Sequence, residues 1–340
     1  MKAASYTGDR TLKITGAESR DPGVGEVQIA VSYTGICGTD LHIWHGAMDS
    51  RVTMPAILGH EMSGTITQLG DGVFDWKVGD RVTVMPLVWC GACPACLAGH
   101  QHICHNLNFV GIDSPGSMQS SWTVPEEILV ALPQDLSLQV GALAEPTAVA
   151  VHDVRRANLV AGERAVVVGG GPIGLLIASV AQAVGADVLL MEVNERRRAA
   201  AQSLGLNAVD PVTDDTSRLV GAWTEGRGAD VAFEVSGAPA GLETAIQSLA
   251  TRGRLVVVAI HSTPPPVNLF QVFWRELTLV GARVYERSDF EEAVTLLARG
   301  AIPAAQLTSS VQPLDKAASA FAELETGHAM KILIDCQAGA

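Results

Sequence analysis

Four cysteines fall in one short stretch, Cys90, Cys93, Cys96 and Cys104. The spacing Cys-x2-Cys-x2-Cys-x7-Cys lets four thiolates converge on one ion, as a closed tetrahedral zinc site requires. Gly91, Pro94, Ala95 and Gly99 supply the tight turns such a loop needs. The competing use of four cysteines is a pair of disulfides in a secreted loop. Met1 to Tyr6 is short and lacks the apolar core of a secretory signal, so the expectation is a reducing, cytoplasmic setting and structural zinc. Four thiolates leave no position for a substrate. Chemistry has to come from elsewhere.

A second set of metal-capable residues is dispersed. Cys37 lies in Gly35-Ile36-Cys37-Gly38-Thr39-Asp40-Leu41-His42, followed by Gly59-His60-Glu61 and, much later, by Ala144-Glu145-Pro146. Cys37, His60 and one or both carboxylates offer a soft, a borderline and a hard ligand, an open set of the catalytic type. Lone cysteines and histidines also serve as core packing, and spacing alone leaves the assembly undecided.

Gly169-Gly170-Gly171-Pro172-Ile173-Gly174 places Gly169, Gly171 and Gly174 at the three glycine positions of a dinucleotide fingerprint. The first allows the tight turn, the second admits a pyrophosphate to the backbone, and the third lets helix and strand pack closely. Pro172 stands early in the helix, where its missing N–H costs little, and Ile173 begins the apolar stripe. Glu192, 18 residues past Gly174, stands where an acid would hold a ribose 2′-hydroxyl and repel a 2′-phosphate, so NAD is expected over NADP. Arg196, Arg197 and Arg198 complicate that choice: an arginine there can accept a phosphate, or the three can form a solvated helix face.

These residues need two kinds of scaffold. Up to about Ala144 the chain reads as short, glycine-punctuated strands; Val27, Ile29, Val31 and Tyr33 alternate with polar or small residues at period two. From Arg164 the rhythm changes. Ala165–Val168 is a continuous apolar run, Ile173, Leu176, Ile177, Val180 and Val184 recur at helical spacing, and further strands are expected at 187–191, 207–209, 231–235, 254–260 and 277–281. Six strands in βαβ order imply a doubly wound parallel sheet. After about Val284 come two helices, the first with a capping box of Ser288 and Glu291, and a strand at 330–334. The expected division is 148–284 for the dinucleotide domain, with 1–147 and 285–340 forming the other domain and 88–106 its cysteine lobe. At 340 residues, 48 % apolar and net charge −13, the chain fits an enzyme of about two domains, with neither a membrane span nor the basic patches that nucleic acid wants.

The motifs, taken together, resemble the zinc-dependent medium-chain dehydrogenases of the alcohol and polyol dehydrogenase superfamily. The pattern runs in order through Cys37-Gly38-Thr39-Asp40-x-His42, Gly59-His60-Glu61, Gly79-Asp80-Arg81-Val82, the four-cysteine lobe and Gly169 to Gly174. The resemblance implies a mostly-β, GroES-like catalytic domain interrupted by a Rossmann domain and completed by the C-terminal tail. Other alcohol dehydrogenases carry cysteine at the third ligand position. Here it is Glu145, and the stretch 145–152 resembles the sorbitol dehydrogenase branch. Threonine dehydrogenases show a Gly-Asn pair where this chain has Ala148 and Val149. Trp122 and Ser120 depart from the tyrosine and glutamate common in the family.

The resemblance implies two zinc ions per chain, one catalytic and one structural, NAD as cofactor, a polyol or vicinal diol as substrate, and a homo-oligomer, commonly a tetramer. It makes Thr39 the acceptor of the hydroxyl proton, with a relay through the cofactor ribose to His42, and Asp40 the residue that orients His60. Cys37, His60 and one carboxylate would neutralise Zn²⁺; both Glu61 and Glu145 together would leave the site at −1. One glutamate is therefore expected to bind directly and the other to be distant or water-bridged. His45, His100, His102 and His105 are expected at the surface, and Cys336 in a structural role. Trp44, Trp122 and Trp274 would either wall a substrate cleft or pack. The alternatives are a threonine or butanediol dehydrogenase, a zinc- or NADP-binding protein without turnover, and a redox-responsive interaction protein built on the lobe.

Overall fold

The computed structural model describes residues 1–16 and 19–338. The chain divides into two compact units, one of Met1–Pro146, Glu286–Gly300 and Ala304–Ala340, the other of Thr147–Tyr285 and Ala301–Pro303.

The first unit is built on a sheet ordered Leu129–Ala131, Arg81–Val84, Glu61–Leu69, Glu26–Gly35, Lys331–Asp335, Thr308–Pro313, with Ser121–Pro125 also paired to Glu26–Gly35. Period-two patterning is visible in Glu26–Gly35, where Val27, Ile29 and Val31 are buried between half-buried neighbours. Its end carries Cys37, and Gly35 pairs with both Glu61 and Leu333. The C-terminal strand is thus an internal member of the sheet that carries the metal-capable residues. The cysteine lobe leaves this unit between Leu87–Val88 and Asn108–Phe109, which pair antiparallel and close its base.

The second unit holds a six-stranded parallel sheet, ordered Asn207–Val209, Asp187–Met191, Arg164–Val168, Ala229–Glu234, Leu249–Val257, Thr278–Gly281. In chain order this is 3-2-1-4-5-6, with the order reversing between the first and fourth strands. Val166, Val168, Leu189, Met191, Ala232 and Leu255 form its core with Leu242, Ala245 and Ile246 from the helix Pro239–Ser248. Each of the valine, leucine, isoleucine and methionine side chains contributes about 1.5–3 kcal/mol by leaving water.

The C-terminal tail holds a short helix, Ala304–Leu307, and a strand, Thr308–Pro313, beyond the two helices and one strand expected, and two further elements differ in their bounds. The helix Arg287–Ala298 is capped by Glu286 and Asp289, whose carboxylate accepts the Glu286 N–H at 2.9 Å, rather than by Ser288 and Glu291. The helix starts earlier because Asp289, at its third position, returns a carboxylate to the Glu286 N–H. The fifth strand of the parallel sheet spans Leu249–Val257, not 254–260, since the N–H groups of Val258 and Ala259 both turn onto the Glu234 carbonyl.

Candidate active site

Cys37 sits between the strand Glu26–Gly35 and the helix Gly38–Trp44, and its backbone N–H donates to Asp40 Oδ2 at 2.9 Å. Glu61 opens the neighbouring strand, directly after His60. Ligand atoms of Cys37, His60 and Glu61 all lie within 4.8 Å of one another. Thiol, imidazole and carboxylate are a donor set suited to zinc, with room for a further ligand. Asp40 is fully buried, with Oδ1 3.8 Å from His60 Nδ1. Burial pushes the Asp40 carboxyl up. For His60, burial works against the charged ring, but Asp40, Cys37 and Glu145 outweigh it and hold the imidazole well above its ordinary value. Phe109 packs edge-on to His60, ring centres 5.2 Å apart, so the strand that closes the lobe also braces this imidazole.

Glu145 lies in the first turn of the helix Ala144–Arg156, nearly fully buried, and its charge reaches both His60 and Lys331. It stands outside the convergent group of three. Thr39 and His42 occupy one face of the helix Gly38–Trp44, Thr39 half-buried and His42 exposed.

Sequence reasoning missed Lys331. Its Nζ donates to Glu61 Oε1 and Oε2, each at 2.7 Å, and to the Ile36 carbonyl at 3.1 Å. Burial works against its charge, yet Glu61, Cys37 and Glu145 raise its pKa overall. This cation changes the charge count: with Lys331 present, a Zn²⁺ ion, the Cys37 thiolate and both glutamates sum to zero. The signal was a lone lysine opening the apolar run Ile332-Leu333-Ile334. Gly35 was missed as well; a Cβ there would collide with a Glu61 carboxylate oxygen.

In the lobe, Cys93 Sγ lies 3.5 Å from Cys96 Sγ and 3.8 Å from Cys104 Sγ, and Cys104 lies 3.5 Å from Cys90. A tetrahedron with Zn–S of about 2.3 Å has edges of about 3.8 Å, so the four sulfurs fit that ion and are too far apart for disulfides. Backbone N–H groups of Cys90, His105 and Asn106 point at these sulfurs. The flanking histidines do not all lie at the surface: His102 is largely covered, its Nδ1 3.8 Å from Glu286. Cys336 is buried against the Ser117 carbonyl. Trp44 packs on Phe321 and Trp122 donates to the Pro115 carbonyl, whereas Trp274 is exposed and stacks on Phe270.

In the second unit the glycine loop follows the strand Arg164–Val168 and leads into the helix Pro172–Val184, with Pro172 and Ile173 in its first turn. Gly169 has φ +109°, and a Cβ on Gly174 would collide with the Gly169 carbonyl. Glu192 accepts the Gly170 N–H on Oε2 and the Asn194 N–H on Oε1, both at 2.7 Å, and Arg197 Nη1 lies 3.9 Å from Oε2. A cavity of about 360 Å³ is lined by Gly169, Gly171, Glu192, Arg197, Val212 and Ser236. The tight glycine turn, open Gly171 backbone and ribose-side acid fit an adenine dinucleotide.

Residues 23–134 match the alcohol dehydrogenase GroES-like domain and residues 172–299 the zinc-binding dehydrogenase domain. The chain is 51 % identical to 2-dehydro-3-deoxy-L-galactonate 5-dehydrogenase of Pseudoalteromonas atlantica, over 99 % of each chain. It belongs to the zinc-dependent medium-chain dehydrogenase superfamily. The crystal structure of 2R,3R-butanediol dehydrogenase from Bacillus subtilis superposes with TM-score 0.90 at 34 % identity, covering 98 % of this chain and 99 % of that one. A zinc-binding dehydrogenase structure from Sinorhizobium meliloti 1021, bound to NADP, gives TM-score 0.92 at 29 % identity and covers 98 % of both chains. The dehydrogenase is therefore an oxidoreductase of the polyol-dehydrogenase type. Among the described residues, no helix is long and apolar enough to cross a membrane.

Proposed function

We propose that this dehydrogenase transfers a hydride between NAD and a secondary alcohol of a polyol, vicinal diol or related sugar acid. The observation that carries the reading is the convergence of Cys37, His60 and Glu61, with Glu145 buried nearby and Lys331 balancing the charge. The sugar acid enters through the Pseudoalteromonas relative and the diol through the Bacillus one.

Cys37, His60 and Glu61 would hold the catalytic zinc, with Glu145 the distant or water-bridged carboxylate; Cys90, Cys93, Cys96 and Cys104 would hold the structural one. The catalytic ion would supply Lewis-acid chemistry to the alcohol oxygen. Asp40, its Oδ1 3.8 Å from His60 Nδ1, would orient His60 through its charge rather than through a direct hydrogen bond. Thr39 would take the hydroxyl proton and His42, exposed on the same helical face, would release it to water. Gly169, Gly171, Pro172, Ile173 and Gly174 would cradle the pyrophosphate. Glu192 supports NAD over NADP, and the nearby Arg197 supports some use of NADP.

A homo-oligomer, tetrameric on the family resemblance, is supported by an exposed apolar surface: Leu269, Phe270, Phe273 and Trp274 beside the open edge strand Thr278–Gly281. Cysteines grouped at the spacing of zinc ligands, with sulfurs too far apart for disulfides, support a reducing, cytoplasmic setting.

The test is NAD⁺ and NADP⁺ reduction against sugar alcohols, vicinal diols, 3-deoxy sugar acids, simple alcohols and L-threonine, with and without a zinc chelator. Chelator-sensitive turnover on polyols, diols or sugar acids is the expected result. Preference for L-threonine, or turnover indifferent to zinc loss, would overturn the reading.

A further inference from the structure

A metal-binding imidazole is usually aimed by a hydrogen bond from its second nitrogen to a carboxylate, a carbonyl or water. Among the described residues His60 Nδ1 has no such partner, and Asp40 Oδ1 at 3.8 Å is beyond hydrogen-bond reach. Packing from one short turn, 109–116, grips the residue instead. The Phe109 and His60 rings meet edge to face, planes at 84° and centres 5.2 Å apart. Gly111, at φ +96°, lies against the backbone beside the imidazole. A Cβ there would collide with the Gly59 carbonyl and come within 3.2 Å of His60 Cβ. Just beyond the turn, the Ser117 N–H donates to that same carbonyl at 2.9 Å.

Asp113 holds that turn. Its Oδ2 accepts the Phe109 N–H at 2.8 Å, and its own N–H donates to the Phe109 carbonyl at 2.8 Å. Arg51 reaches the same carboxylate from the loop after the helix Gly38–Trp44, Nε donating to Oδ1 and Nη2 to Oδ2, each at 2.7 Å. An exposed ion pair ordinarily contributes little to stability. This one is half-covered and bidentate, and it shares an oxygen with a backbone donor, so its contribution is geometric definition. The loop that carries Arg51 is itself fixed: the Ala47 N–H donates to the His42 carbonyl at 3.0 Å and the Arg51 N–H to the Met48 carbonyl at 2.9 Å. One carboxylate therefore ties the His42 end of that helix to the ring that backs His60, all within one compact unit.

We propose that Asp113, held by Arg51, is a positioning residue for the metal site: it fixes Phe109, and Phe109 sets the angle at which the His60 imidazole faces the ion. The inference rests on the zinc reading above. It is tested by titrating cobalt(II) into the full-length, chelator-treated protein and following visible absorption. The Cys37 site offers one thiolate and the lobe four, so their bands differ in intensity and are read separately. Asp113→Ala should weaken cobalt binding at the Cys37 site on the order of tenfold and shift its bands, with the lobe bands unchanged. Asp113→Asn, whose amide oxygen can still take the Phe109 N–H, should recover most of that affinity. Phe109→Leu should weaken the same site comparably. Adding Asp113→Ala to Phe109→Leu should weaken it no further, because the acid acts through the ring. Three results would overturn the proposal while leaving the zinc reading intact. These are Cys37-site bands and affinity unchanged in Asp113→Ala, even with lowered melting; both sites weakened alike; or effects of the two substitutions that simply add. Wild-type protein that showed only the four-thiolate bands would remove the zinc reading and the proposal with it.

Discussion

Lys331 Nζ stands 2.7 Å from both oxygens of Glu61, and both side chains are buried. The pair joins the strand Lys331–Asp335 to the strand that Glu61 opens, directly after His60. It also places a fixed positive charge within the electrostatic reach of Cys37 and Glu145. A site with a thiolate and two carboxylates would over-neutralise a divalent ion; the lysine restores the balance.

Lys331→Met should therefore act differently with and without metal. Removing one partner of a buried ion pair costs about 3–5 kcal/mol, because the other charge is left uncompensated. Urea unfolding of chelator-treated protein should show a loss of that order. Zinc would supply positive charge to Glu61, so the loss should shrink in the loaded protein. Equal losses in both states would place the role of Lys331 in packing alone.

Much of this site was legible in the sequence, and the part that was not follows one physical rule. The cysteine lobe and the glycine loop are local: their residues must be close in the chain for the turn geometry to work. Glu61 and Lys331 are 270 positions apart, and only the antiparallel pairing of Glu26–Gly35 with Glu61–Leu69 on one side and Lys331–Asp335 on the other brings them together. The same holds for Phe109 against His60 and for His261 against Glu234. One helix start was misread for a milder reason: Ser288 is the better cap on pattern alone, and Asp289, which bonds the Glu286 N–H, moved the start two residues earlier.

Zinc uptake by the lobe should release protons and strengthen with pH. Burial pushes the Cys96 thiol up to about 12, while N–H donors from Ala92 and Cys93 pull Cys90 down to about 6. Cys96 is thus protonated across the working range and must lose a proton to bind, so affinity rises with pH. Below about pH 6 Cys90 must also deprotonate, and the dependence steepens. Competition with a chelating dye between pH 5 and 8 reads this slope; affinity independent of pH would contradict it.

Glu192→Ala should shift cofactor preference. The carboxylate fixes the Gly170 and Asn194 N–H groups and, on the proposed reading, would accept a ribose hydroxyl, while Arg197 remains nearby once it is gone. Losing a hydrogen bond to a charged group costs about 1.5–3 kcal/mol, so kcat/KM with NAD should fall on the order of tenfold to a hundredfold. With NADP it should hold or rise. A parallel fall with both cofactors would mean the acid only shapes the loop.

Thr39→Val separates proton transfer from metal binding. The hydroxyl is half-buried in the first turn of Gly38–Trp44, and valine keeps its shape while removing the polar atom. Asp40, Cys37 and His60 are untouched, so zinc content by atomic absorption should stay at the wild-type value. Turnover should fall about a hundredfold or more, the range expected when a positioned proton acceptor is removed. His42→Ala, at the exposed end of the same helical face, should cost less, because water can replace an exposed imidazole. If Thr39→Val kept full turnover, the proton would have to leave by another group, and Glu145 would be the next residue to substitute.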